Sequence, residues 1–200
     1  MVDMMTLTLD EQVTALRERG VAVDDAVIAG PRRSAPAERS VLVLARDVVP
    51  GADAAARVER RGRPVVLGQL DPEELDGYAP IASVRLPDGP AYLAADVDLG
   101  AASRDVRPED ALRAILAAGR SPLTLDEGIA LVLQQPEAIA RNWGFSMAGS
   151  RRGDQRVPAF WISEGRPKLG WCWDRNPHTW LGTASCARRW RASGGRPRRR

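Results

Sequence analysis

Two strand-like stretches, residues 157–163 and 166–173, are separated only by Glu164-Gly165. A two-residue connection with glycine in second place demands a tight antiparallel hairpin, because only such a turn matches the twist of the strands it joins. Placing Ser163 opposite Arg166 then sets every pairing behind the turn. Phe160 faces Leu169, Pro158 faces Trp171, and Trp161 faces Lys168. Alternation along the strands sorts these side chains onto two surfaces. One surface carries Pro158, Phe160, Ile162, Leu169, Trp171 and Trp173 and is expected to form core. The other carries Trp161, Lys168 and Cys172 and is expected to be half exposed, with Lys168 in cation–π reach of Trp161. Continued through the following residues, the pattern predicts a β-meander over 157–185.

The same part of the chain holds nearly every large or reactive side chain. All six tryptophans, both phenylalanines, both cysteines and the single histidine lie between Trp143 and Trp190, while residues 1–142 offer only Tyr78 and Tyr92 as aromatics. Any functional site is therefore expected in the C-terminal third.

With 44% hydrophobic residues in 200, the chain can bury a core without a metal or disulfide staple. It is expected to form a single domain over 1–187. No apolar run approaches the ~18 residues of a membrane span, and Asp3 and Asp10 stand where an export signal would be basic and then apolar. Two cysteines make no disulfide framework, so Cys172 and Cys186 are expected as thiols in a cytoplasmic protein. The net charge of +3 conceals a split. Residues 188–200 hold seven arginines and no acid, which leaves the preceding 187 residues at −4. A mildly acidic body argues against a phosphate-binding face, and the basic tail is expected to be disordered and to bind nucleic acid weakly at most.

Local signals place most of the helices. Thr8-Leu9-Asp10-Glu11 and Thr124-Leu125-Asp126-Glu127 are both capping boxes. They predict a helix over 8–20 and another carrying Ile129, Val132 and Leu133 up to Pro136. Asp71-Pro72 starts a short helix, and Pro108 starts the first of a helical pair spanning 108–141. Residues 30–40 read as a loop, 41–45 and 64–67 as strands, and 52–60 as a short helix. Residues 81–86 and 91–97 read as two arms of a second hairpin around Pro87-Asp88-Gly89-Pro90. Together these elements predict an α+β fold: antiparallel strands, a helical pair and an aromatic-rich C-terminal meander.

From about Leu70 onward the chain resembles a bacterial family described only as a domain of unknown function, found in high-GC Gram-positive species. The likeness rests on Asp76-Gly77-Tyr78-Ala79-Pro80, on Pro158-Ala159-Phe160-Trp161-Ile162-Ser163, and on Lys168-Leu169-Gly170-Trp171-Cys172-Trp173 followed by Asn176-Pro177-His178-Thr179-Trp180-Leu181-Gly182. It implies a shared fold and names no activity.

Several groups compete as site residues. His178, after the turn signal Asn176-Pro177, can serve as a base or ligand contact, or can simply tie a loop and pack on Trp180. Cys172, His178 and Cys186 match no zinc array, so no metal or other cofactor is expected. Ser150, Arg151 and Asp154 lie in a glycine-framed loop whose N–H groups can hold an anion or can be ordinary solvated loop. Trp161 and Trp180 are the tryptophans expected to stay partly open for stacking, the other four being assigned to core. The leading expectation is a module that binds a small molecule or protein partner through Ser150, Arg151, Asp154, Trp161, His178 and Trp180. A hydrolase using His178 with Cys186 or Ser150 is the alternative.

Overall fold

The computed structural model describes residues 7–33 and 39–190. Its six α-helices are α1 (Leu9–Glu18), α2 (Asp25–Arg33), α3 (Gly51–Ala56), α4 (Pro72–Asp76), α5 (Pro108–Ala117) and α6 (Leu125–Gln134). The N-terminal half contributes the strands β1 (Val41–Leu44), β2 (Glu59–Arg60), β3 (Arg63–Pro64), β4 (Val66–Leu67), β5 (Ala79–Pro80) and β6 (Ala91–Ala95). The C-terminal half adds β7 (Ser121–Pro122), β8 (Gly144–Ser146), β9 (Ser150–Arg151), β10 (Arg156–Ser163), β11 (Arg166–Trp173), β12 (Leu181–Thr183), β13 (Ser185–Cys186) and β14 (Arg188–Trp190). The fold is α+β.

Helix α6 is the centre of the molecule. From Glu127 to Gln134 every residue is buried, as expected of a helix that is apolar nearly all round. Its start is held by the capping box read from the sequence: Thr124 Oγ1 accepts from Glu127 N–H, and the Glu127 carboxylate accepts from Thr124 N–H. The same arrangement starts α1 at Thr8 and Glu11.

Two sheets flank this helix. In the first, β6 is central, paired antiparallel with β1 on one side and β14 on the other. The second has the order β12-β8-β10-β11-β4, with parallel pairing at both ends and antiparallel pairing between. Its middle is the β10–β11 hairpin, in the register set by the turn, with Ser163 against Arg166, Trp161 against Lys168 and Pro158 against Trp171. Glu164 and Gly165 both adopt positive φ, 53° and 74°, as a twist-matched two-residue turn requires.

Both faces of that hairpin are covered. Phe160 and Leu169 enter the main core, while Val157, Ala159 and Cys172 form a second cluster with Ala148 and Leu181, flanked by Leu112, Trp161 and Trp180. On the surface expected to be half exposed, Trp161 and Lys168 are half-buried as expected and Cys172 is buried. On the expected core face, Trp173 is instead 46% exposed.

Other expectations are corrected. The meander over 157–185 ends at its first hairpin, because β12 pairs with β8 rather than β11. Residues 81–86 form no strand; only Val84 is buried there, so a sheet partner would gain too little apolar cover, and β6 pairs instead with β1. The loop expected from residue 30 is helical to Arg33, because Ile28 and Pro31 bury one face of α2. Residues 34–38 lie outside the described residues. Helix α3 stops at Ala56, and the strand expected over 64–67 is split between two partners. The tail expected from residue 188 begins with strand β14, and the rest, 191–200, lies outside the described residues. No helix among the described residues is long and apolar enough to cross a membrane.

Candidate functional site

None of the six tryptophans is fully buried. The buried aromatics are Tyr78, Tyr92, Phe145 and Phe160. Of the four tryptophans assigned to core, Trp171 and Trp190 pack against it while partly buried, and Trp143 and Trp173 do not: an indole is too large, and its N–H too polar, to be enclosed easily. Three half-buried tryptophans converge. Trp143, Trp161 and Trp180, with Asn142 and Ile162, line a recess of about 230 Å³. The rings of Trp161 and Trp180 meet edge to face at 5.8 Å and 61°.

Each wall has a local cause. Trp143 closes a tight turn in which Ala140 and Trp143 exchange backbone hydrogen bonds of 2.8 and 2.9 Å. Asn142 takes positive φ, 59°, at that turn, a conformation asparagine tolerates. Trp161 projects from β10 across β11. Its indole lies against Gly170, where a Cβ would fall 2.6 Å from the ring, so only glycine at that position lets the ring lie flat. Lys168 Nζ stands 5.7 Å from its centroid. Trp180 ends the loop after β11 and accepts a hydrogen bond from Gly144 N–H at 2.9 Å through its carbonyl.

Arg104 joins the two loops. Its Nε donates to Thr179 O at 2.7 Å and its Nη2 to Asn142 O at 3.0 Å, while the guanidinium lies 4.5 Å over the Trp143 ring. Trp143 and Arg104 were not singled out in the sequence. Trp143 carries only the weak signal of belonging to the tryptophan-rich third, and Arg104 carries none, since its partners lie 38 and 75 residues away.

The expected site residues divide into two groups. Trp161 and Trp180 are brought together, and the His178 ring packs tilted against Trp180, centroids 5.3 Å apart, without lining the recess. Its Nε2 is buried with no hydrogen-bond partner among the described residues, and burial lowers its pKa below the ordinary value. The imidazole is therefore neutral at pH 7. Ser150, Arg151 and Asp154 do not line the recess. Ser150 Oγ accepts from Leu125 N–H at 2.9 Å at the start of α6. Arg151 pairs with Asp174 at 3.0 Å, and Asp154 accepts from Arg156 Nε at 2.8 Å. The polar groups of this loop are answered by the protein itself.

The nucleophile candidates are equally enclosed. Burial pushes the thiols of Cys172 and Cys186 each up to about 12, so neither is a thiolate near neutrality. Among the described residues, no hydrogen bond joins His178 to Ser150 or Cys186, and no group of three His, Cys, Asp or Glu side chains converges as a metal site would.

Comparison with known proteins adds a family and one distant likeness. A model described as a family of unknown function (DUF5701) matches residues 2–192, so the likeness includes the first 70 residues. Over 146 residues the chain is 34% identical to the DNA mismatch repair protein MutS of Anaeromyxobacter sp. (strain K). That match covers 66% of this chain and 16% of that protein, so the chain spans only a small part of the relative's length. No solved structure matches the chain.

Proposed function

Because the chain belongs to a family of unknown function (DUF5701), we propose a function from geometry: it is a cytoplasmic binding module that seats one flat ring among Trp143, Trp161 and Trp180. The supporting observation is that three half-exposed tryptophans from two loops and a strand close on a single recess. Tryptophan faces left partly open in a concavity stack on bases, sugars and other flat groups. Asn142 supplies a polar edge. The volume, about 230 Å³, lies below the roughly 300–1,000 Å³ of drug-sized sites and suits a single ring system. The likeness to a DNA mismatch repair protein brings nucleic-acid bases into the set of rings to be tested and nothing more.

The test is tryptophan fluorescence and thermal shift against nucleosides, monosaccharides, indole and a quaternary ammonium salt. A bound ring should quench the fluorescence. Loss of one stacking partner removes about 1–3 kcal/mol, or roughly 5- to 150-fold in affinity, so Trp143→Ala and Trp180→Ala should each weaken binding by that much. If both variants bind as tightly as the unaltered protein, the recess is not the site.

A further inference from the structure

The tryptophan recess shares two of its lining residues with a second, larger concavity. An open cleft of about 970 Å³ shares Asn142 and Ile162 with the recess and is lined by Arg60, Arg61, Arg63 and Arg141. Only Glu164 among its lining residues is acidic. Glu137 pairs with both Arg60 and Arg61 from behind and so neutralises one of them. Arg63 donates to the Glu164 carbonyl at 3.2 Å, lying so close to the hairpin turn that a Cβ on Gly165 would fall 2.8 Å from its Nη1. Arg141 is exposed and has no carboxylate partner among the described residues. The four guanidiniums, set against Glu164 and Glu137, leave a net charge of +2 beside an aromatic seat.

We propose that the ligand is a flat ring carrying phosphate, a nucleoside phosphate either free or within a single strand, with the ring among the tryptophans and the phosphate on Arg63 and Arg141. This rests on the ring-binding reading and extends it. Guanidinium groups match phosphate oxygens in charge and in the spacing of their N–H donors. Asn142 and Ile162 line both concavities, so a phosphate attached to a ring in the recess is brought to the edge of the arginine cleft. Its greater volume accommodates more than one phosphate. The mildly acidic charge of the body as a whole argues against a phosphate face on average; the four arginines of this cleft are a local departure from that average.

The experiment is calorimetric titration at low salt with adenosine, AMP, ATP, inorganic phosphate and a ten-residue oligothymidylate. AMP or ATP is expected to bind at least tenfold more tightly than adenosine, and inorganic phosphate more weakly than either nucleotide. Arg141→Glu should abolish the advantage of the nucleotide and leave adenosine affinity unchanged. Arg63→Gln should halve that advantage or more, with melting curves confirming that each variant folds. Binding of the oligonucleotide but not of the mononucleotides, with the same loss in Arg141→Glu, assigns the phosphate to a strand and still supports the proposal. Its affinity should then fall with salt with a log–log slope of roughly −0.7 per phosphate neutralised. Equal affinity for adenosine and ATP overturns the phosphate assignment and leaves the ring seat standing. Binding by none of the ring compounds, here or in the wider ring set, overturns both.

Discussion

Arg189 and Glu127 form the most enclosed ion pair among the described residues, with side chains 5% and 0% exposed. Removing one partner should be among the most damaging changes available. The guanidinium grips the carboxylate as a fork, Nε to Oε1 at 2.6 Å and Nη2 to Oε2 at 2.8 Å, and also donates to Ser121 Oγ and Pro122 O. In Arg189→Ala, Glu127 would keep the Tyr92 hydroxyl and Thr124 N–H as donors but lose its counter-charge. Breaking a buried pair this way costs about 3–5 kcal/mol, a large share of the roughly 5–15 kcal/mol that holds most proteins folded. For a chain of this size it corresponds to a fall of about 6–20 °C in Tm. Glu127→Gln should be comparably harmful, since the capping bond survives while Arg189 is stranded. The double variant Arg189→Ala/Glu127→Gln should lose less than the sum of the two single changes, because no unpaired charge remains. Urea unfolding followed by circular dichroism and tryptophan fluorescence measures all three. A loss below about 1 kcal/mol in Arg189→Ala, or strict additivity of the two single changes, would refute the reasoning.

Ending the chain after Ala187 should destabilise it by at least as much as Arg189→Ala, because β14 is lost with the arginine; a Tm equal to that of the full chain would contradict the pairing. Cys172 and Cys186, with thiols pushed up to about 12, should react with iodoacetamide at pH 7.5 far more slowly in the folded protein than in urea, and equal rates would show that the thiols are not enclosed. His178 has a folded pKa below its ordinary value of about 6.5, so the unfolded chain takes up that proton first as pH falls. The stability it contributes is complete above about pH 6.5 and is lost as pH drops toward the folded pKa. A melting series from about pH 7.5 to 5 should therefore slope less in His178→Phe than in the unaltered protein, and parallel curves would remove His178 from the account.

What could be read in the residues is what neighbours in sequence decide among themselves. The capping boxes at Thr8 and Thr124 each involve a residue and its partner three positions on, and the start at Asp71 a proline next in line. The hairpin register follows from a turn of two residues, and all of its pairings from Ser163↔Arg166 to Arg156↔Trp173 follow in turn. Trp161 over Lys168 was legible for the same reason. The site was half legible: clustering pointed to the C-terminal third, and two of the three recess tryptophans were named. His178 and the Ser150–Asp154 loop lie outside the recess: unusual residue types mark a position without showing whether the protein has already used their polar groups.

Everything else depends on which distant segments meet. Strand β6 could not be assigned from its flanks to β1, some fifty residues earlier, and to β14, more than ninety later. Nor could the parallel edges of the second sheet be assigned, which place Val66 beside Lys168 and Gly144 beside Leu181. Parallel pairing carries no turn signature, since the joining chain is long and its sequence free. The Arg104 staple and the shared wall between the tryptophan recess and the arginine cleft arise in the same way. By itself the sequence determined the helix starts, the hairpin and the location of its rare side chains, because those rest on contacts a few residues apart. The tertiary structure alone decided which of those side chains remain open to a ligand, because exposure is set by whatever distant surface packs against each one.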